Sequence, residues 1–180
     1  CRLSVMEVLR FYSCLQRWGL RFPWQRELNL RLIIMENSHV LQITERHFSD
    51  LYLCFCGLAK CEPNHSFGPG IRDNYIIHYI TKGKGKYYVN NACYELSQGQ
   101  GFLVEPHLQV FYQADKDDPW QYLWIGFNGT KAIQYLNDIG LSSNHLTFQC
   151  NYSEELKQIV HNMLKNNNFA TSNQFLLESL

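Results

Sequence analysis

No two cysteines in this chain are spaced C-x-x-C, and the seven present are odd in number and irregularly placed. That pattern excludes an obvious zinc or disulfide framework and reads as small core hydrophobes in a reducing compartment. No apolar run reaches the roughly 18–20 residues of a membrane-spanning helix. The first residues also lack the continuous apolar stretch of a secretion signal. A cytoplasmic protein without a membrane partner is expected. Charge of one sign is missing too. Sixteen basic and sixteen acidic residues cancel, so the chain has no global electrostatic footprint for nucleic acid.

The usual catalytic signatures are absent as well. There is no G-x-S-x-G elbow, no helical H-E-x-x-H and no phosphate-cradling glycine loop. The seven histidines (His39, His47, His65, His78, His107, His145, His161) include no i, i+2 or i, i+4 pair. A metal site needs three or four converging ligands, so neither a metal nor another cofactor is expected. Asp115, Asp117 and Asp118 beside Lys116 read as a solvated hairpin loop rather than as paired catalytic carboxylates.

What the chain has is aromatics, at 14% of 180 residues, enough for one domain with a sizeable core. From Asp73 to Phe127, short runs of Ile, Val, Tyr, Phe and Trp alternate with clusters of Gly, Asn, Asp and Pro. This is the pattern of many short strands joined by tight turns. Gly83 and Gly85 are expected at positive φ where the first of these strands turns over. Asn90-Asn91 suits a two-residue hairpin turn with positive φ at both positions. The expectation is an antiparallel β-barrel.

Residues 1–34 look foreign to the rest. All their basic residues are arginine, and they carry net +4 against −4 for the remainder. Met35 stands at the seam, and 1–34 is expected to be an upstream or non-native extension. Residues 35–128 form the barrel with its N-terminal arm. Within that arm, Asp50–Cys56 is strand-like, with Cys54 and Cys56 on one face, and Cys61–Gly70 reads as loop.

After Asn128-Gly129 the period changes from two to 3.6, so 129–180 is expected to be helical. Ala132, Leu136 and Ile139 share one face, and Gly140 stops that helix. Ser153 is placed to cap the next, with Glu154 and Glu155 at its positive end. Leu156, Ile159, Val160, Met163 and Leu164 form an apolar stripe, a candidate for packing on the barrel or for the subunit contact. Thr171–Gln174 resembles a capping box for a further helix carrying Phe175, Leu176, Leu177 and Leu180. The chain stops within that pattern, as a fragment of a longer protein would.

Strand alternation puts Trp120, Tyr122 and Trp124 on one face. Such rings offer a flat apolar surface with a polar tip, suited to stacking on a sugar while hydrogen-bonding its hydroxyls. Tyr112 and His78 are candidates to join them inside the barrel.

Three segments carry a resemblance: Tyr75–Gly85 with its Gly-x-Gly turn, Gly99–Pro106, and Tyr112–Phe127. In this order and spacing, residues 50–180 resemble the N-terminal regulatory domain of the arabinose-regulator (AraC/XylS) family of bacterial transcription activators. The chain is especially similar to the branch tied to multiple-sugar and α-galactoside utilisation. The resemblance implies a cupin-like barrel (double-stranded β-helix or jelly roll) that binds a sugar effector, followed by two or three helices that pair two subunits. DNA would be bound only through a C-terminal helix-turn-helix domain that is not part of this chain. By position, Tyr112, Tyr122 and Trp124 match residues lining the family's sugar pocket, although that pocket has a histidine where this chain has Tyr122. In metal-binding cupins, the positions of Ile76 and Val110 would be a glutamate and a histidine. His65-Ser-Phe67 and Arg72 are expected to fold over the barrel mouth.

The expected function is therefore sugar sensing and dimerisation within a regulator, without catalysis. The ligand-binding candidates are Trp124, Tyr122, Tyr112, His78, Trp120 and Arg72. The alternatives are a metal-free cupin sugar isomerase or epimerase, pairing His78 with Tyr112 or Glu105, and a dimerisation-only module with a filled barrel.

Overall fold

Two antiparallel sheets face each other, and the strand order explains why. In a computed structural model describing residues 30–35, 38–43 and 48–165, eleven strands form a seven-stranded sheet β1-β2-β3-β10-β5-β8-β11 and a four-stranded sheet β4-β9-β6-β7. The strands are β1 (Leu30–Met35), β2 (Ser38–Ile43), β3 (Tyr52–Lys60), β4 (Ser66–Ile71), β5 (Tyr75–Lys82), β6 (Lys84–Val89), β7 (Ala92–Ser97), β8 (Gln100–Val104), β9 (Gln109–Ala114), β10 (Gln121–Asn128) and β11 (Thr147–Gln149). From β5 to β10 the chain passes back and forth between the sheets, wrapping a cupin-like barrel. Two helices among the described residues, α1 (Ala132–Asp138) and α2 (Ser153–Lys165), follow the barrel. None of the described helices is long and apolar enough to cross a membrane.

The turn chemistry sits where the sequence places it, with one exception. Asn90 and Asn91 have φ of 50° and 61° and join β6 to β7. Gly83 has φ of +71°, but Gly85 is not in the left-handed region. Gly85 is glycine for a different reason: an added Cβ would stand 2.4 Å from Trp120 Cε3 and 2.5 Å from the Gln113 carbonyl oxygen.

Three local expectations need correction. The stretch 61–70, read as loop, ends in β4, which pairs with β9 through a register shift between Phe67 and Gly70. Proline and glycine are tolerated there because β4 is an edge strand. Cys54 and Cys56 do not share a face by simple alternation. The register against β10 slips between Gly126 and Phe127, so Leu53 joins Cys56 in one apolar cluster while Cys54 accepts a hydrogen bond from Asn74 Nδ2. A bulge resets the period-two phase in this way. Ser153 is the first residue of α2, not its cap. The Leu156 N–H already bonds the Tyr152 carbonyl, and Ser153 Oγ is buried without a partner.

Helix α2 packs on β2, β3 and β10 of the large sheet. Leu41, Cys56 and Ile125 lie in one cross-strand row of β2, β3 and β10. Met163 packs on this patch with Ile43 and Leu53, while Ile159 and Leu164 flank it. Ala132 and Leu136 of α1 and Ile139 at its C-cap are buried in the main core, and Gly140 at φ +77° follows the helix end as expected. Asp50 anchors the start of α1: its carboxylate meets Lys131 Nζ at 2.5 Å and its carbonyl accepts the Lys131 N–H. The proposed seam at Met35 falls at the end of β1, in a hairpin with β2. Residues 1–29, and the further helix expected after Thr171, lie outside the described residues.

Candidate functional site

The inner faces of the two sheets are set by register. On the large sheet, Trp124 pairs with His78, His78 with Phe102, and Tyr122 with Ile80. On the small sheet, Tyr112 lies between Tyr87 and Phe67. All five sequence candidates on β5, β9 and the β10 segment converge here. Tyr112 and Tyr122 ring centroids are 5.1 and 5.2 Å from His78, and Trp124 is 6.5 Å from it. Trp120 meets Tyr122 edge-on at 5.9 Å. A register shift between Gln121 and Tyr122 falls on the β5 side, so the alternation along β10 survives it.

Depth separates these residues. Trp120 is fully buried and locked over Gly85. Trp124 is half-buried and lies over Gly57, where a Cβ would come within 2.4 Å of its Cζ2. Glycine at position 57 is what lets the indole lie flat across β3. Arg72 is exposed, its guanidinium 4.1 Å above the Phe67 ring. Phe67 in turn stacks on Tyr112 at 5.1 Å. The segment expected to cover the mouth is therefore edge strand β4 and the residues just after it.

Among the described residues, His78 is the only buried acidic or basic side chain. Desolvation, reinforced by the Arg72 charge, holds its pKa down at about 3, so the imidazole is neutral near pH 7. Its Nδ1 has no protein partner, and the buried Nε1 of Trp120 meets only the Cys61 sulfur, a weak acceptor. Each such orphaned polar atom costs about 1–3 kcal/mol. Burial raises the Tyr112 hydroxyl to about 12, opposed by the Arg72 charge and hydrogen bond. Burial and the neighbouring Tyr112 push Tyr122 up as well. The interior therefore offers neutral donors and acceptors on flat rings.

Two contributors, Phe102 and Cys61, were not anticipated as site residues, and Phe67 was expected only as part of the segment over the mouth. Phe102 lies flat against His78 and also contacts Tyr87 and Trp120. Phe67 carries Arg72. Cys61 follows β3 and is held by its N–H to the Trp120 carbonyl. Burial raises its thiol to about 11, against the pull of the Tyr122 and Trp120 donors. Phe102 shares its strand phase with Val104, which is a legible signal. Nothing local marks Cys61.

Ile76 and Val110 are both buried apolar residues. Among the described residues, no group of three or more His, Cys, Asp or Glu side chains converges as metal ligands would. Glu105 lies near the barrel end, where its carboxylate accepts the Ser143 hydroxyl at 2.9 Å. The α2 stripe is turned to the chain's own barrel: Val160 and Met163 are buried, and Leu156, Ile159 and Leu164 are half-buried beside them.

Comparison with known proteins matches residues 52–180 to the family model described as the AraC-like ligand binding domain. The chain is 47% identical over 92 residues to the Msm operon regulatory protein of Streptococcus mutans, covering 51% of this chain and 33% of that protein. It is 39% identical over 116 residues to the raffinose operon transcriptional regulatory protein of Pediococcus pentosaceus, covering 63% and 40%. The chain thus spans well under half the length of these curated relatives. Among solved structures it is similar to the protein YhaK from Escherichia coli, with a TM-score of 0.49, 13% identity, and coverage of 63% of this chain and 51% of that one.

Proposed function

Because this chain belongs to the AraC-like ligand binding domain family, we propose that it is the effector-sensing part of a cytoplasmic bacterial regulator of carbohydrate use. The effector is a sugar. Trp124 offers its indole face, Tyr112 and Tyr122 their hydroxyls, His78 a neutral imidazole, and Arg72 a guanidinium at the rim. Trp120, fully buried, packs edge-on against Tyr122. DNA is contacted by a separate domain, and two copies pair through the helical region or its margins. The names of the regulators matched support a sugar-utilisation role.

The observation that carries this reading is the convergence of Tyr112, Tyr122 and Trp124 around a buried, neutral His78. A sugar has both apolar C–H faces and neutral hydroxyls, and this lining matches both. Ligand transmits a signal only if its affinity differs between two arrangements of arm or helices. The Asp50–Lys131 contact, which ties the chain before β3 to the start of α1, is a physical link across which such a difference could pass.

A second reading is a pairing module with a filled barrel. It is favoured by the mutual packing of the interior rings, with Trp120 and Phe102 wholly buried. An isomerase finds less support. A general base works best with a pKa near the working pH, and His78 sits far below it, while Glu105 is engaged with Ser143.

Thermal-shift and calorimetric titration with galactose, lactose and raffinose tests the proposal. A sugar that stabilises the protein without being converted supports sensing. Trp124→Ala should weaken that binding on the order of tenfold or more. No stabilisation by any sugar, with an unaltered dimer, would favour the filled-barrel reading.

A further inference from the structure

We propose that the effector site continues past the Tyr112, Tyr122 and Trp124 wall into a deep subsite, marked by His78 Nδ1 and Trp120 Nε1, that takes uncharged hydroxyl groups. This inference rests on the sugar-sensing reading and adds to it a position, a depth and a chemical restriction.

Both nitrogens are buried; His78 Nδ1 has no protein partner, and Trp120 Nε1 has none better than a thiol sulfur. An unsatisfied buried polar atom is rare in folded proteins and calls for an explanation. Packing fixes the plane of each ring. The imidazole lies parallel to Phe102, with centroids 4.5 Å apart and planes 5° apart, and is flanked by Tyr112 and Tyr122. The indole is pinned by the backbone at Gly85, with no room for even a methyl group between them. Its N–H lies near the Cys61 sulfur, which is a weak acceptor at best. The indole N–H is therefore held in one direction and the imidazole in one plane before any ligand arrives, which is the condition for preorganised recognition.

They also share neighbours. Phe102 contacts both rings, and so do Tyr112 and Tyr122. The orphaned atoms belong to one aromatic chamber and not to two unrelated defects.

The chamber discriminates by charge. Its walls are Phe102, Tyr87, Ile80 and Val104, all buried. The formal charge felt by His78, Tyr112 and Tyr122 is Arg72, exposed at the rim beside Phe67. A carboxylate or phosphate carried to the deep end would lose its hydration and find no cation there, a far larger penalty than a hydroxyl incurs. A hydroxyl can accept from the indole N–H and either donate to or accept from the imidazole. The subsite therefore admits neutral polyols and rejects their acid or phosphate derivatives, although Arg72 alone would attract the latter.

The test combines ligand-side and protein-side changes. The wild-type protein is titrated with galactose, lactose and raffinose, and with galacturonic acid and galactose 6-phosphate. The best-bound neutral sugar is then titrated into Trp120→Phe and His78→Phe. Each variant keeps an aromatic ring; Trp120→Phe loses the indole N–H and His78→Phe loses both imidazole nitrogens. Expected are a loss of affinity on the order of tenfold for each variant, and binding of the charged analogues at least as weak as that. On adding the neutral sugar, the Trp120 indole N–H resonance should move, and this readout does not depend on variant folding. Without ligand, His78→Phe should be at least as stable as wild type, because it removes an orphaned polar atom without changing the stack. Unchanged affinity in both variants with a stationary indole resonance would overturn the deep subsite while leaving sugar sensing intact. Tight binding of a charged analogue would overturn it too. A wild-type protein that binds none of the neutral sugars would instead overturn the sensing reading, and the hydroxyl assignment with it.

Discussion

The imidazole of His78 lies parallel to the ring of Phe102, 4.5 Å between centroids and 5° between planes, with its Nδ1 unpartnered. The stack replaces hydration with a hydrocarbon face and so disfavours the charged imidazolium.

A pH dependence follows, and its sign is fixed. An unfolded histidine protonates near pH 6.5, whereas folded His78 does so only near 3. Between these values the unfolded state holds more protons, so stability rises with pH across the window and is lost on acidification. The ceiling for one group is about 1.4 kcal/mol per pH unit. Urea unfolding between pH 4 and 7 should therefore show a shallower acid loss in His78→Phe than in wild type. Parallel curves would show that the site is already solvated.

Gly85→Ala should destabilise the barrel by about 1–3 kcal/mol, the usual cost of overpacking. The new methyl would meet Trp120 on one side and the Gln113 carbonyl on the other. Denaturant midpoints, together with the near-ultraviolet signal of the displaced indole, would check this. If stability is unchanged, Trp120 is not pinned over Gly85.

Met163→Ala should cost about 2–4 kcal/mol by opening a cavity under α2. Met163 is buried against Leu41, Ile43, Leu53 and Cys56. Ile133, 61% exposed on α1, is the control: Ile133→Ser should stay within about 0.5 kcal/mol. Size-exclusion chromatography on the same samples separates packing on the barrel from subunit pairing. A dimer lost in Met163→Ala without a change in monomer stability would assign the stripe to the subunit contact instead.

The β6–β7 turn gives a paired prediction. Asn90→Val should cost about 1–2 kcal/mol, because a β-branched residue resists the left-handed region, where Asn90 has φ of 50°. Asn91→Gly should be neutral or stabilising by a few tenths of a kcal/mol, as Asn-Gly is the preferred pair for this turn. Melting temperatures of the two variants should move in opposite directions or differ clearly.

Much of the barrel was legible because its signals are local. Alternation along 120–127 put Trp120, Tyr122 and Trp124 on one face, and the structure brings the three rings into contact in series. The Asn-Asn turn and the Gly140 stop likewise need only neighbouring residues to be understood. Errors arose where a partner strand resets the local rule. The slip opposite Phe127 separated Cys54 from Cys56, and pairing with β9 drew part of a Pro/Gly-rich stretch into a strand. Gly85 was read for its backbone freedom, when its requirement comes from an indole thirty-five positions away.

The order of residues by itself determined the short strands, the turns between them, the change to helical period after Asn128, and a set of amphipathic rings in one phase. Those properties depend on contacts a few residues apart. Only the tertiary structure decided that His78 would be dry and neutral, that Trp120 would sit fixed and fully buried while Trp124 stays half-buried, and that the α2 stripe would turn to its own barrel. Solvation, depth and packing are set by elements distant in sequence, and no local pattern encodes how far a side chain lies from water.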